Sequence, residues 1–288
     1  MSSRKAARAA AARKREKERA FRDDAGRLHL VLHRDPRTGG EHVSLKAPLF
    51  GDAWQDELAA SAANTVLGVL RHEPTLDRVL ELTRSAMAST SRLIAALLAR
   101  APAGAVACKA GCDHCCYQVV GVTAAEALTL FAHLVETRSG AELEQLKTRV
   151  AELYERARGL SSADRFSPEH PCAFLEAGSC SIYEVRPLSC RGMNSLDAGE
   201  CERRLRAPEG RAEFLAKGHG GHAYLEPIQA FRAVSAGLQL GLSELYHLDT
   251  RPLDLLAVMR LLLEGDAALG SAWVRGERPF DAARREQG

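Results

Sequence analysis

The chain lacks several features that mark particular classes of protein. Aromatic residues make up 5% of the 288 residues, which argues against a stacking platform for single-stranded nucleic acid. The longest apolar runs, such as LIAALLA at 93–99, are too short to span a bilayer. No apolar segment follows the basic residues at the start, so we expect no secretory signal. These absences predict a cytoplasmic protein without a membrane partner.

Net charge is small at +2, so the body of the protein is not expected to bind a polyanion. Residues 1–22 carry nine Arg and Lys against Glu16 and Glu18, a local charge of +7. This stretch has no apolar stripe, which predicts a basic, flexible arm over residues 1–24. The alternative is a weak, salt-sensitive contact of the arm with nucleic acid or an acidic protein partner.

Hydrophobic periodicity predicts a mainly α fold, with one helical domain over residues 25–288. RLHLVLH (27–33) and EHVSL (41–45) alternate apolar and polar residues around a turn-rich stretch, which predicts a small N-terminal β-hairpin. Thr123 and Glu126 have the spacing of a capping box. Helices are predicted over 52–72, 73–100, 122–137, 141–158, 223–247 and 252–264, with Asp52 as an N-cap and Trp273 and Phe280 as anchors of the tail.

A loop-rich insert interrupts this helical pattern. Residues 159–210 contain Pro and Gly at short intervals. The cysteine-cluster region as a whole runs over residues 107–205, and we call it the cysteine segment. CAFL and CSIY flank the turn EAGS and predict a second small hairpin. We expect these short stretches to bury little apolar area. Such regions often depend on a metal, since a structural zinc contributes about 10–16 kcal/mol in small peptides.

Eight cysteines in a reducing compartment are poor disulfide candidates and good metal-ligand candidates. The alternative is that they are buried, unreactive cysteines, which fits Cys201 better than it fits CDHCC, because Asp and His are unusual core neighbours. We therefore predict a metal site. Its predicted ligands are Cys108, Cys112, Cys115 and Cys116 of the first block and Cys172, Cys180, Cys190 and Cys201 of the second.

One straight helix cannot present the first four thiols to one ion. Eight helical residues rise about 12 Å, whereas four sulfurs on one ion lie within about 4 Å of one another. We expect the chain to turn at Gly111, so that Cys112, Cys115 and Cys116 begin a helix while Cys108 folds back from a loop. Two four-thiolate sites and one polynuclear cluster both remain open.

The combined pattern resembles the YkgJ-type CxxCxxCC cysteine-cluster family, described as a zinc- or iron-chelating domain. C-x3-C-x2-C-C at 108–116 and CAFLEAGSCSIYEVRPLSCR at 172–191 carry the resemblance, and CRGMNSLDAGEC resembles an extension found in many members. The resemblance implies that the matching cysteines are the ligands. A related group of flagellin lysine methylases is associated with an iron–sulfur cluster, which favours iron–sulfur over zinc. The chain shows no recognisable methyl-donor site.

Two functions remain open. In one, protein ligands fill every position around a metal of structural, redox or accessory role. In the other, one metal keeps an open position and the chain is an enzyme, either a transferase or an oxidoreductase. C-x3-C-x2-C also marks radical enzymes that use S-adenosylmethionine, but no strand–helix repeat follows it here. Polar neighbours available for charge compensation, ligation or reaction are Lys109, Asp113, His114, Glu184, Arg186, Arg191, Asn194, Asp197, Arg203 and Arg204.

Overall fold

A computed structural model of the chain describes residues 20–22, 28–71, 73–102, 104–109, 111–217, 222–265 and 268–284. Within these residues the fold is mainly α-helical, as predicted. Residues 1–19 and 23–24 of the predicted arm lie outside the described part, whereas Ala20–Arg22 form a strand. No described helix combines the length and apolar character that crossing a membrane requires.

The described elements are mostly helices joined by short strands. The helices are α1 (Ala53–Leu70), α2 (Leu76–Arg100), α3 (Ala124–Thr137), α4 (Gly140–Ala157), α5 (Ser162–Arg165), α6 (Leu188–Gly192), α7 (Ala198–Arg206), α8 (Pro208–Lys217), α9 (Leu225–Leu240), α10 (Leu255–Glu264) and α11 (Ala268–Val274). The strands are β1 (Ala20–Arg22), β2 (Leu28–Arg34), β3 (Glu41–Leu45), β4 (Gly121–Val122), β5 (Leu175–Glu176), β6 (Ser179–Cys180) and β7 (Leu253–Asp254). Short 3₁₀ turns cover His114–Tyr117, Tyr183–Val185 and Asp281–Ala283, and a π-helical turn, Gly241–Leu245, continues α9.

The N-terminal hairpin is confirmed. β2 and β3 pair antiparallel, with Leu30 opposite Leu45 and Leu32 opposite Val43, and β1 adds a third antiparallel strand that the sequence did not predict. Leu30 and Val43 are buried with Ala63 of α1 in a small core of their own. The alternation of apolar residues turns one face of the sheet onto the helix, which explains this packing.

Local capping signals set the helix starts as predicted. Asp52 accepts from the Gln55 backbone N–H at 3.1 Å, and Thr123 and Glu126 form the predicted capping box of α3. Each cap pairs backbone donors that the helix itself leaves unpaired. Trp273 and Phe280 are buried, which confirms that they anchor the tail.

The main core extends into the cysteine segment. Besides side chains of α1, α2, α3, α4, α10 and α11, it contains buried residues from just before the second hairpin to the start of α6: Ala173, Phe174, Ile182, Val185 and Leu188. Phe174, Ile182 and Leu188 are each at most 2% exposed. The segment therefore buries more apolar area than expected, because these residues belong to the same core as the helices.

Two glycines allow close contacts that place the helix carrying Cys190. A Cβ on Gly237 of α9 would lie 2.1 Å from the Ala59 carbonyl oxygen of α1, and a Cβ on Gly192 of α6 would lie 2.0 Å from Cδ1 of Phe231. Such distances are far inside van der Waals contact. Only glycine fits at these two positions, so α9 lies directly on α1 and α6 lies directly on α9.

Candidate metal centre

The first cysteine block forms a loop and a 3₁₀ turn. Gly111 has a φ of 84°, so the chain turns there as predicted. Cys115 and Cys116 lie in the 3₁₀ turn His114–Tyr117, whereas Cys112 precedes it. The prediction that Cys112, Cys115 and Cys116 begin a helix is therefore wrong. A 3₁₀-helix has three residues per turn, so neighbouring side chains project about 120° apart and face different surroundings.

The second hairpin is confirmed and positions two thiols. β5 and β6 pair antiparallel through a two-residue turn, in which Ala177 and Gly178 have φ values of 47° and 76°. Positive φ at both positions is typical of a type I′ turn, which matches the twist of the strands. Cys180 ends β6, and Cys172 precedes β5.

A buried carboxylate connects α3 to the helix that carries Cys190. Besides closing the capping box of α3, Glu126 accepts from the Leu188 backbone N–H through Oε1 at 2.9 Å. Glu126 is 5% exposed, so both of its oxygens serve buried donors. This second role depends on how α3 and α6 pack, and no local sequence signal marks it.

The two cysteine blocks lie side by side. The Cys172 backbone N–H donates to the Cys116 carbonyl at 2.7 Å, and the Ala107 N–H donates to the Ser195 carbonyl at 2.8 Å. The Ser195 N–H donates to the Cys108 thiol at 3.2 Å. A hydrogen bond with the Ser195 side chain also lowers the pKa of Cys201, although burial raises that pKa overall. Ser195 is thus a residue of the site that the sequence analysis missed.

Electrostatic coupling divides the thiols into two groups that mix the blocks. We call Cys108, Cys112 and Cys201 the first thiol group. Burial raises the pKa of Cys108 to about 11, and the thiols of Cys112, Cys115 and Cys201 contribute to the increase. The pKa of Cys201 is raised by burial and then by Cys112 and Cys115. Cys201 therefore lies with the first block in space, although it belongs to the second in sequence.

We call Cys172, Cys180 and Cys190 the second thiol group. Burial raises the pKa of Cys172 to about 11, with contributions from Cys180 and Cys115. Burial also raises the pKa of Cys190, and the thiols of Cys172, Cys115 and Cys180 add to the increase. These thiols are close enough to oppose one another's ionisation.

Cys115 stands between the two groups, since it raises the pKa of members of both. A hydrogen bond with the Cys116 side chain is the main cause that raises the pKa of Cys115 itself, followed by burial. The adjacent pair Cys115 and Cys116 therefore connects the two groups. The arrangement is therefore compatible with two separate metal centres and with one joint cluster.

The first thiol group lines a cavity of about 520 Å³. Cys115 and His114 also line it, as do Phe166 and Phe214. The Nδ1 atom of His114 is buried and has no hydrogen-bond partner. None of the three thiols of the second group lines this cavity.

Two arginines lie beside the second thiol group. The positive charge of Arg186 lowers the pKa values of Cys115, Cys180 and Cys190 against the stronger effect of burial. Arg191 is 5% exposed, and it donates to the Ser91 hydroxyl and the Glu184 carbonyl oxygen. The Nε atoms of both arginines are buried without a partner. Neither guanidinium forms an ion pair with a carboxylate of the described residues.

Four of the other polar neighbours have structural partners. Arg203 and Arg204 both pair with Glu200, at 2.7 and 2.6 Å. Asn194 bridges to the backbone of Tyr224, accepting from its N–H at 2.8 Å and donating to its carbonyl at 2.9 Å. Asp197 caps α7. These contacts account for all four side chains without a reaction.

The eight thiols form a donor set that suits a soft metal. Among the described residues, which include all eight cysteines, no three His, Cys, Asp or Glu side chains stand close enough to hold an ion as they are. Ligation therefore requires the thiols to move closer to one another. Thiols that oppose one another's ionisation nevertheless favour a cationic metal with thiolate ligands, because the two neighbouring arginines form no ion pair within the described part of the chain and can compensate the thiolate charge.

Comparison with known proteins gave one match. Residues 107–207 match the family model CxxCxxCC, which is described as a "putative zinc- or iron-chelating domain". No curated protein and no solved structure matches the chain. The match covers the predicted cysteine segment and all eight cysteines, and it supports metal binding without distinguishing zinc from iron. Residues 107–207 of the chain are thus similar to the CxxCxxCC family, whose description names zinc or iron as the metal.

Proposed function

We propose that the chain is a metal-binding protein whose eight cysteines hold an iron–sulfur cluster or zinc between the two blocks, in a structural, redox or accessory role. The observation that carries this proposal is the position of Arg186 and Arg191 beside the second thiol group, where neither forms an ion pair with any residue that the structure describes. A buried cation normally has an anionic partner, because desolvation of an unpaired charge costs free energy.

The thiols become that anionic partner when they bind a metal. Four thiolates around a divalent zinc carry a formal charge of about −2, and four-cysteine iron–sulfur clusters are anionic as well. The charge of Glu126 raises the pKa of Arg191, but the two oxygens of Glu126 already accept from the starts of α3 and α6. The arginines therefore compensate charge that the metal-free thiols do not carry at neutral pH.

Packing supports a role beyond holding the segment together. Phe174, Ile182 and Leu188 already fix the second block on the main core. The metal is therefore not the sole anchor of this region, unlike the metal of a small zinc finger. A redox or accessory role is consistent with such an independent framework.

The cavity next to the first thiol group favours a second candidate, a metal-dependent enzyme of the transferase or oxidoreductase class. A metal bound by Cys108, Cys112 and Cys201 alone would have a free position facing this cavity. Exchange of an added small thiol or cyanide at the metal, seen as a change in its absorption spectrum, would favour this candidate.

The test is anaerobic purification of the full chain, followed by metal and acid-labile sulfide analysis and a visible spectrum. Brown protein with iron and sulfide identifies a cluster, and colourless protein with stoichiometric zinc identifies zinc sites. Cys190→Ser is expected to lower the metal content, whereas its neighbour control Ser189→Ala is expected to keep it. Protein that is purified without oxygen and neither contains nor takes up zinc or iron would refute the proposal.

A further inference from the structure

His114 has a position that thiol chemistry alone does not explain. It lines the cavity together with Cys108, Cys112 and Cys201. Its side chain is 20% exposed, and its Nδ1 atom is buried without a hydrogen-bond partner. The nearest carboxylate oxygen, on Asp113, is 3.9 Å away, which is beyond hydrogen-bond distance. A buried polar atom without a partner is rare in folded proteins and calls for a ligand or a water.

The 3₁₀ turn separates His114 from its neighbours. Because successive side chains of such a turn project about 120° apart, His114, Cys115 and Cys116 cannot all face one point. His114 and Cys115 both reach the cavity, whereas Cys116 follows the chain toward Cys172, whose N–H binds its carbonyl. The turn therefore offers a nitrogen donor to the first thiol group, while Cys115 lies between both groups and the backbone of Cys116 contacts Cys172 of the second.

The number of donors agrees with this division. The first thiol group has three sulfurs, one fewer than tetrahedral zinc requires, and the second group has three with Cys115 and Cys116 beside them. Zinc commonly takes three Cys and one His in sites that have no open position. Imidazole suits zinc, and the neutral ring adds no further negative charge.

We propose that His114 is the fourth ligand of a zinc site with Cys108, Cys112 and Cys201, separate from an all-thiolate centre at the second thiol group. This inference rests on the proposed function and names the metal and the donor set of one half of it. It also closes the coordination position that the enzyme candidate would need to be free.

The test uses ¹¹³Cd²⁺ as a spectroscopic substitute for zinc in the full chain, stripped with a chelator and reloaded without oxygen. The chemical shift of ¹¹³Cd changes with each replacement of a sulfur ligand by nitrogen. The wild type is therefore expected to show two signals, one of them at the shift of a site with three sulfur ligands and one nitrogen ligand. His114→Ala is expected to remove that signal. It is also expected to lower the cadmium affinity of that site by more than about 10–100-fold, the loss that follows when a residue supporting a ligand is removed. His114→Cys is expected to move the signal to the all-thiolate position.

Controls separate the possible failures. His42→Ala changes an exposed histidine of β3 and is expected to leave both signals in place. If His114→Ala does not fold, His114→Cys keeps a donor at the same place and reports through its shifted signal. A single signal in the wild type, or two signals unchanged in both His114 variants, would overturn the inference while the proposed function survives. Absence of any cadmium binding by the wild type would refute the proposed function itself.

Discussion

Arg191→Met tests whether the buried guanidinium of Arg191 compensates the charge of a bound metal centre. Arg191 is 5% exposed and forms no ion pair with the described residues. Burial lowers its pKa from 12.5 to about 10, and the neighbouring charge of Arg186 contributes to the decrease. Met fills a similar elongated volume without a charge. The substitution therefore removes the cation and leaves most of the packing.

The magnitude follows from the lowered pKa. The decrease in the pKa of Arg191 from 12.5 to about 10 corresponds to about 3 kcal/mol of free energy spent in keeping the metal-free arginine charged at neutral pH. Replacing a buried charge by an apolar side chain is often neutral or stabilising for the same reason. We expect the metal-free variant to unfold with an unchanged free energy or one raised by up to about 3 kcal/mol.

The loaded protein is expected to respond in the opposite direction. Without Arg191, the negative charge of the bound thiolates loses a compensating neighbour, and metal affinity is expected to fall about 10–100-fold, the range found for outer partners of metal sites. Chemical denaturation of the metal-free protein gives the first quantity, and competition with a chromophoric chelator gives the second.

Arg84→Met is the matched control, because Arg84 is an exposed arginine that pairs with Glu136. Both quantities are expected to stay within about 0.5 kcal/mol of the parent in this control. The opposite result is that Arg191→Met destabilises the metal-free protein by more than about 1 kcal/mol and leaves metal affinity unchanged. It would show that Arg191 is a structural hydrogen-bond donor, and it would refute the reasoning.

Three further predictions concern pH, packing and metal removal. Because the folded pKa values of Cys108 and Cys172 lie near 11, above the ordinary 9.0, their contribution to stability is complete below about pH 9 and is lost as the pH rises to 11. The melting temperature of metal-free protein should therefore fall over that range more than that of loaded protein, and equal slopes would contradict this. Gly237→Ala should cost about 1–3 kcal/mol in denaturant unfolding because its Cβ meets the Ala59 carbonyl, whereas Gly68→Ala, with open space around it, should gain up to about 1 kcal/mol. Chelation should leave far-UV circular dichroism nearly unchanged and speed hydrogen exchange chiefly in the cysteine segment, and global loss of helix would contradict the apolar anchoring.

Local patterns in the sequence predicted much of the fold correctly. The alternation in RLHLVLH and EHVSL, the N-cap Asp52 and the capping box of Thr123 and Glu126 act within a few residues of one another, so their geometry depends little on the rest of the chain. The second hairpin has the same character. The 3₁₀ turn was missed because a short stretch between two loops has too few residues to favour an α-helix over a tighter turn.

Residue type by itself determined that this chain concentrates thiols in two stretches and therefore has the chemistry for a soft metal. Only the tertiary structure decided which thiols meet: Cys201 lies with Cys108 and Cys112, and Cys115 lies between the groups. It also decided that Glu126 accepts from the start of the helix carrying Cys190, and that Arg191 is buried where no carboxylate of the described residues pairs with it. The physical reason is that these contacts join residues about 60 to 100 positions apart, so they depend on how whole helices pack, which no local pattern encodes.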